Sequence, residues 1–208
     1  MRLLCALVAA AVLHAADLPK IRYTKSFPGS VPAYVAIWVD KSGHGEFNDS
    51  PGGEQPPVKF QLTPSENETI FSLAARVGYF SRPLESGLKV AFTGTKVFRY
   101  EDGATYHELK FNYTQDPDGQ LLLDWFERLT ETALHAINLE RTAQFDRLGL
   151  DKALLQLQVS MDRGRLAGAS QLLPILDRIA KTQSAFNRVQ QRAAAIADAI
   201  RAGETKTE

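Results

Sequence analysis

The chain reads as an α+β protein: an N-terminal antiparallel sheet with one packed helix, then a C-terminal helical hairpin or three-helix segment. Three observations give that reading. Short β-branched and aromatic runs, broken by Gly- and Asp-containing turns, fill the stretch from Val31 to Tyr113. A single capped helical stripe interrupts them. At Asp116-Pro117-Asp118-Gly119 the hydrophobic period changes from alternation to about 3.6 and does not change back.

The elements follow in order. Tyr34-Val35-Ala36-Ile37-Trp38-Val39 is a strand that stops at the hairpin signal Asp40-Lys41-Ser42-Gly43 and resumes through Glu46-Phe47. Val58 to Leu62 is a further short strand. Ser65-Glu66-Asn67-Glu68 has the form of a capping box, with Ser65 as N-cap. Ile70, Phe71, Leu73, Ala74 and Val77 then share one helical stripe, and Gly78 stands where a terminating glycine belongs. Leu88 to Phe92, Lys96 to Tyr100 and Tyr106 to Tyr113 predict three more strands. In the last, His107, Leu109, Phe111 and Tyr113 alternate with Glu108, Lys110 and Asn112, so one face is buried and the other wet. This alternation places His107 on the inner face or at its margin, partly buried.

Beyond residue 116, Leu122, Trp125, Phe126, Leu129, Ala133 and Ile137 form a stripe predicting a helix to about Leu148, ended by Gly149. Asp151 is placed to cap a shorter helix carrying Leu154, Leu157 and Met161. Leu172, Ile175, Ile179, Thr182, Phe186, Val189, Ala193, Ile196 and Ile200 then alternate spacings of three and four, a heptad seam predicting one long last helix. The first and last helices would match in length and pack on each other within one chain; a homodimeric coiled coil is the alternative. The resulting organisation is 1–16 leader, 17–116 sheet domain, 117–203 helical segment and 204–208 polar tail.

Composition excludes whole classes. With 208 residues, 44% hydrophobic, 23% charged, and 24 basic against 24 acidic residues, the chain is ordinary globular material. Zero formal net charge argues against a protein that lives on nucleic acid or wraps an anionic membrane. Met1-Arg2, the apolar run Leu3 to Leu13 and the small residues before Asp17-Leu18-Pro19 have the form of a secretory signal peptide, with cleavage expected after Ala15 or Ala16. Eleven apolar residues span only about 16 Å of a hydrocarbon layer about 30 Å thick, too short for an anchor, and no transmembrane span is expected elsewhere. Cys5 is the sole cysteine and precedes most of that apolar core, the wrong place for lipid attachment. Export would therefore leave a thiol-free periplasmic or secreted protein without disulfides, held by its core alone.

Candidate chemistry is thin. Ser30, in Phe27-Pro28-Gly29-Ser30-Val31-Pro32, lacks the Gly-x-Ser-x-Gly form and leads into a strand rather than a helix. His44 and Glu46, with Asp40, have metal-binding side chains, but in a sequence typical of a solvated hairpin tip. No metal, phosphate or dinucleotide motif occurs, so no cofactor is expected. His135 reads as a packing or surface residue. Arg178, Lys181, Arg188 and Arg192 read as a solvated face. The glycosylation patterns at Asn67 and Asn112 fall inside a helix and a strand, poor acceptor settings.

Pro32-Ala33-Tyr34-Val35-Ala36-Ile37, the Gly43 turn, the capped helix ending in Tyr79-Phe80 and the returning Lys96–Tyr100 strand resemble a small exported bacterial α/β module. Over residues 20–115 the chain is similar in architecture to one half-repeat of the β-lactamase-inhibitor-like proteins. That resemblance implies a binding surface on an open sheet face rather than an active site. No inhibitory motif matches, so no functional residue carries over, and the helical half departs from the pattern.

The favoured expectation is an exported, non-enzymatic binding or interaction protein for an unknown protein or small-molecule ligand, as monomer or homodimer. Tyr34, Trp38, Lys96 and His107 are its candidate contact residues. One alternative is an envelope-associated oligomeric assembly protein built on the heptad seam, which requires Ile179, Phe186 and Ile196 to be exposed in the isolated chain. The other is a periplasmic hydrolase or lyase, which requires His44 or His107 within about 3.2 Å of a carboxylate or serine.

Overall fold

The computed structural model describes residues 18–53, 55–182 and 186–204; the expected leader with its expected cleavage site and residues 205–208 lie outside them. Six strands, β1 (Lys20–Ser26), β2 (Tyr34–Asp40), β3 (His44–Asn48), β4 (Val58–Gln61), β5 (Thr95–Asp102) and β6 (Thr105–Phe111), form one antiparallel sheet in the order β4-β3-β2-β1-β5-β6. Helix α1 (Pro64–Arg76) separates β4 from β5, and α2 (Pro117–Phe145), α3 (Leu150–Asp162), α4 (Leu173–Lys181) and α5 (Asn187–Glu204) follow the sheet. The protein is α+β.

Strand alternation sorts the sheet into two faces. Ile21, Tyr23, Val35, Ile37, Val39, Phe47, Phe60, Phe98, Leu109 and Phe111 point to one side and are buried with α1 and the first turns of α2. Gly45 lies under the Phe60 ring, where an added Cβ would come within 2.4 Å of ring carbon, so only glycine fits between β3 and β4 there. β1 was not foreseen from the sequence, yet it is the central strand that joins β2 to β5.

Several expectations are corrected. The capping box of α1 lies two residues earlier. Thr63 is the N-cap: its hydroxyl accepts the Glu66 amide N–H, and the Glu66 carboxylate accepts the Thr63 N–H at 2.9 Å. Both frames fit the Ser/Thr-x-x-Glu pattern. The earlier one also places Pro64 at the first helical position, where its preset φ suits the helix and its missing N–H costs nothing. Gly78 terminates the helix with φ +72°, as foreseen. Leu88 to Phe92 is not a strand; the segment is held by the Asn112 side chain, which bonds the Thr93 N–H and the Ala91 carbonyl. Helix α2 stops at Phe145, and Asp151 does not cap α3; its carboxylate lies 3.2 Å from both Arg188 and Arg192.

The largest correction concerns the seam. It is not one helix: α4 ends at Lys181, the backbone of Thr182 after it is extended, and α5 returns along α4. The Arg201 guanidinium sits 2.7 Å from Asp177, and the Gln190 side chain donates to the Thr182 carbonyl at 2.7 Å. Leu172, Ile175, Ile179, Val189, Ala193, Ile196 and Ile200 thereby bury one another, together with Leu154 and Leu157 of α3. Helix α2, not the last helix, is the long element at about 43 Å. Its Leu122, Phe126, Leu129 and Ala133 belong to the sheet's core, while Ala136 and Leu139 belong to the helical core.

Candidate functional site

The second face of the sheet has no helix across it among the described residues. Register builds one continuous row across all six strands: Lys59, Glu46, Trp38, Arg22, Arg99 and Glu108 are successive cross-strand neighbours. Trp38 sits near the middle. Its indole N–H donates to the Glu46 carboxylate at 3.2 Å, the Lys20 ammonium lies 5.6 Å from its ring centre, and the His44 ring stands 6.0 Å away. Arg99 pairs with Glu101 at 2.7 Å and lies 4.3 Å over the Tyr106 ring. Arg22 is exposed and forms no ion pair among the described residues. A shallow depression of about 270 Å³, lined by Arg22, Thr24, Val97, Arg99, Glu101 and Glu108, opens beside Trp38.

The four residues expected to form the contact surface divide between the two faces. Tyr34 and Trp38 lie on the open face. Lys96 and His107 alternate with Phe98, Leu109 and Phe111 on the helix side. Lys96 is buried, and its ammonium donates to the Asn112 carbonyl at 2.7 Å and to the Thr93 hydroxyl at 2.9 Å. Burial, and then the charge of Lys25, pull its pKa below the usual lysine value. His107 is exposed rather than partly buried, as is the whole start of β6 from Thr105 to Glu108. His44 faces the opposite side of the sheet from His107, so the two imidazoles cannot share a site, and neither makes a side-chain hydrogen bond among the described residues.

The residues that the sequence reading missed are Arg22 and Arg99. Arg22 was hidden with β1. The only local signal was Ile21 and Tyr23 alternating with basic residues.

A second polar cluster joins α2 to α3. His135 Nε2 lies 3.0 Å from the Ser160 hydroxyl, Ser160 donates to Glu131 at 2.6 Å, and Arg165 bridges Glu131 and Asp124. Burial lowers the His135 pKa against the opposing pull of Glu131. The single Ser160 proton goes to Glu131, so His135 donates to Ser160 through Nε2–H. That polarity is the reverse of a nucleophile and its base. Ser160 also lies within α3 rather than on a turn, and the cluster acts as a helix-to-helix tie. The amides at both glycosylation patterns are engaged: Asn67 donates to the Lys41 carbonyl at 2.8 Å and Asn112 to the Ala91 carbonyl at 3.1 Å. Three of the four basic residues singled out on the last helices are paired: Arg178 with Glu140, and Arg188 and Arg192 with Asp151. Among the described residues no group of three His, Cys, Asp or Glu side chains is arranged to hold a metal ion, and no helix is long and apolar enough to cross a membrane.

The chain matches no protein-family model, no curated protein and no solved structure.

Proposed function

We propose that this protein is an exported binding protein whose open sheet face contacts its partner, with Trp38 and Arg22 at the centre and Tyr34 and Arg99 beside them. The observation that carries the reading is the cross-strand row, which sets a tryptophan next to a guanidinium without an ion pair among the described residues, on a face that no described element covers. Trp, Tyr and Arg are the residue types that dominate binding energy at protein interfaces. They combine large rigid contact area with a polar handle. A ligand with a flat apolar group and a carboxylate or phosphate would meet both groups at once. The export leader supports a periplasmic or extracellular setting for that encounter.

The test is site-specific photo-crosslinking in cells that make the protein. A photoreactive phenylalanine at Thr24 or Val97, beside the row, gives one defined adduct, and Trp38→Ala with Arg22→Glu abolishes it. The reading fails if Thr24 and Val97 give no adduct, or give the same adducts as Thr69 on the outer side of α1.

A further inference from the structure

Apart from that face, one end of the sheet carries exposed apolar side chains on two loops. The loop Phe27–Ala33 joins β1 to β2, and the segment Ser86–Gly94 leads into β5. They pack on each other through the Phe27 and Phe92 rings, 5.9 Å apart and edge to face. Gly94, at φ +105°, brings the second loop so close to Phe27 that a Cβ there would fall 2.9 Å from the Phe27 Cβ. Val31 is 99% exposed, Phe92 57%, Leu88 50% and Val90 42%.

We propose that this two-loop tip seats in the headgroup region of a phospholipid bilayer containing anionic lipid. Apolar side chains protruding on loops present a convex surface, which suits insertion between headgroups. Part of the loop backbone is already hydrogen-bonded within the chain. The N–H of Phe27 bonds the Ala33 carbonyl at 2.8 Å, that of Ser30 bonds the Phe27 carbonyl at 3.1 Å, and Pro28 and Pro32 have none. In the second loop the Leu88, Val90 and Thr93 N–H groups are bonded to Ser86 Oγ, the Leu88 carbonyl and Asn112 Oδ1. Unbonded backbone groups oppose entry into lipid, and bonded ones are not free to pair with an incoming strand. Charge agrees with an anionic surface. Lys89 is the one charged residue within the two loops and is flanked by apolar neighbours, so it can lie along the surface with its ammonium at the phosphates. Lys25 stands beside the tip. The nearby acid Glu85 is already engaged by the Asn112 and Ser86 N–H groups, at 2.6 and 3.0 Å.

The experiment is sedimentation of the full chain with vesicles of phosphatidylcholine alone, or of phosphatidylcholine and phosphatidylglycerol in a ratio of roughly three to one. The expected result is binding that favours the anionic vesicles and falls about tenfold or more in the double variant Val31→Asp/Phe92→Asp. Leu148→Ser, 82% exposed in the turn between α2 and α3, binds as the parent does. A Phe92→Trp variant gains fluorescence that brominated lipid quenches, beyond any quenching of the parent's own tryptophans. The proposal is overturned if the full chain stays in solution with both vesicles, if the tip variant with an unchanged melting curve binds like the parent, or if the indole introduced by Phe92→Trp is not quenched. An interface with another protein would give the first of these outcomes. The tip is distinct from Trp38 and Arg22, so failure here leaves the open-face reading to its own crosslinking test.

Discussion

Tyr23 lies at the centre of the covered face, 1% exposed, with its ring 5.1 Å from Phe98 and 5.4 Å from Phe126. Its hydroxyl has no hydrogen-bond partner among the described residues. Burial, and then the charge of Glu127, push the phenol's pKa far above its ordinary value near 10. A group with a raised folded pKa stabilises the fold below its unfolded pKa and loses that contribution as pH rises. Tyr23→Phe removes an unsatisfied buried hydroxyl while keeping the ring contacts. It should raise stability at neutral pH by about 1 kcal/mol in urea unfolding and flatten the fall in stability above about pH 10. Glu66 works differently: one carboxylate oxygen completes the cap of α1 and the other accepts the Gly168 N–H at 2.8 Å, tying the sheet half to the turn before α4. Thr63→Ala should cost about 1 kcal/mol, the usual worth of a cap, and Glu66→Ala about 2 to 3, because a distant amide also loses its partner. If the two variants cost the same by urea unfolding, the tie contributes nothing.

At the scale of elements, the spacing of apolar residues located most helices and strands but not how they are joined. Val58 to Leu62 and Lys96 to Tyr100 were legible because their alternation is local. β1 was not, because Lys20, Arg22, Thr24 and Lys25 interleave with Ile21 and Tyr23 and give the look of a solvated segment. Leu88 to Phe92 has strand-forming residues, but its backbone is bonded to the Asn112 side chain rather than to a strand, so tertiary context overrode propensity. The seam from Leu172 to Ile200 is the most instructive case. A three-four spacing describes one helix facing a partner and two helices folded on each other equally well. The fold-back buries Ile179 and Ile196 within the chain and leaves Phe186 exposed at 60%, so two of the three residues that an assembly through this seam requires are already covered. Ile196→Ala should cost about 3 kcal/mol in urea unfolding, and the parent should sediment as a monomer at every concentration at which it is folded. A dimer dispersed by Ile196→Ala would restore the seam as an interface.

For the molecule as a whole, α2 begins at the textural boundary near residue 116 and contributes to both cores, so the sheet and the helices are held together along its length. The α+β class was legible because it needs only the order of local patterns. The candidate site was half legible. Tyr34 and Trp38 stood out as aromatics in a strand. Their separation from Lys96 and His107, and the placing of Arg22 and Arg99 beside Trp38, depend on register between strands distant in sequence, which no local pattern encodes. The helices cover one side of the sheet and leave Trp38 on the other, while the second tryptophan, Trp125, lies in α2 against Arg128, with the guanidinium 4.0 Å from its ring centre. The two indoles therefore serve as probe and internal reference. Oxidative footprinting, with the modified indoles quantified by mass spectrometry, compares the purified protein with the protein in the cells that make it. An occupied open face predicts that Trp38 is protected in the cell while Trp125 is modified equally in both settings. Equal modification of Trp38 in both would contradict it.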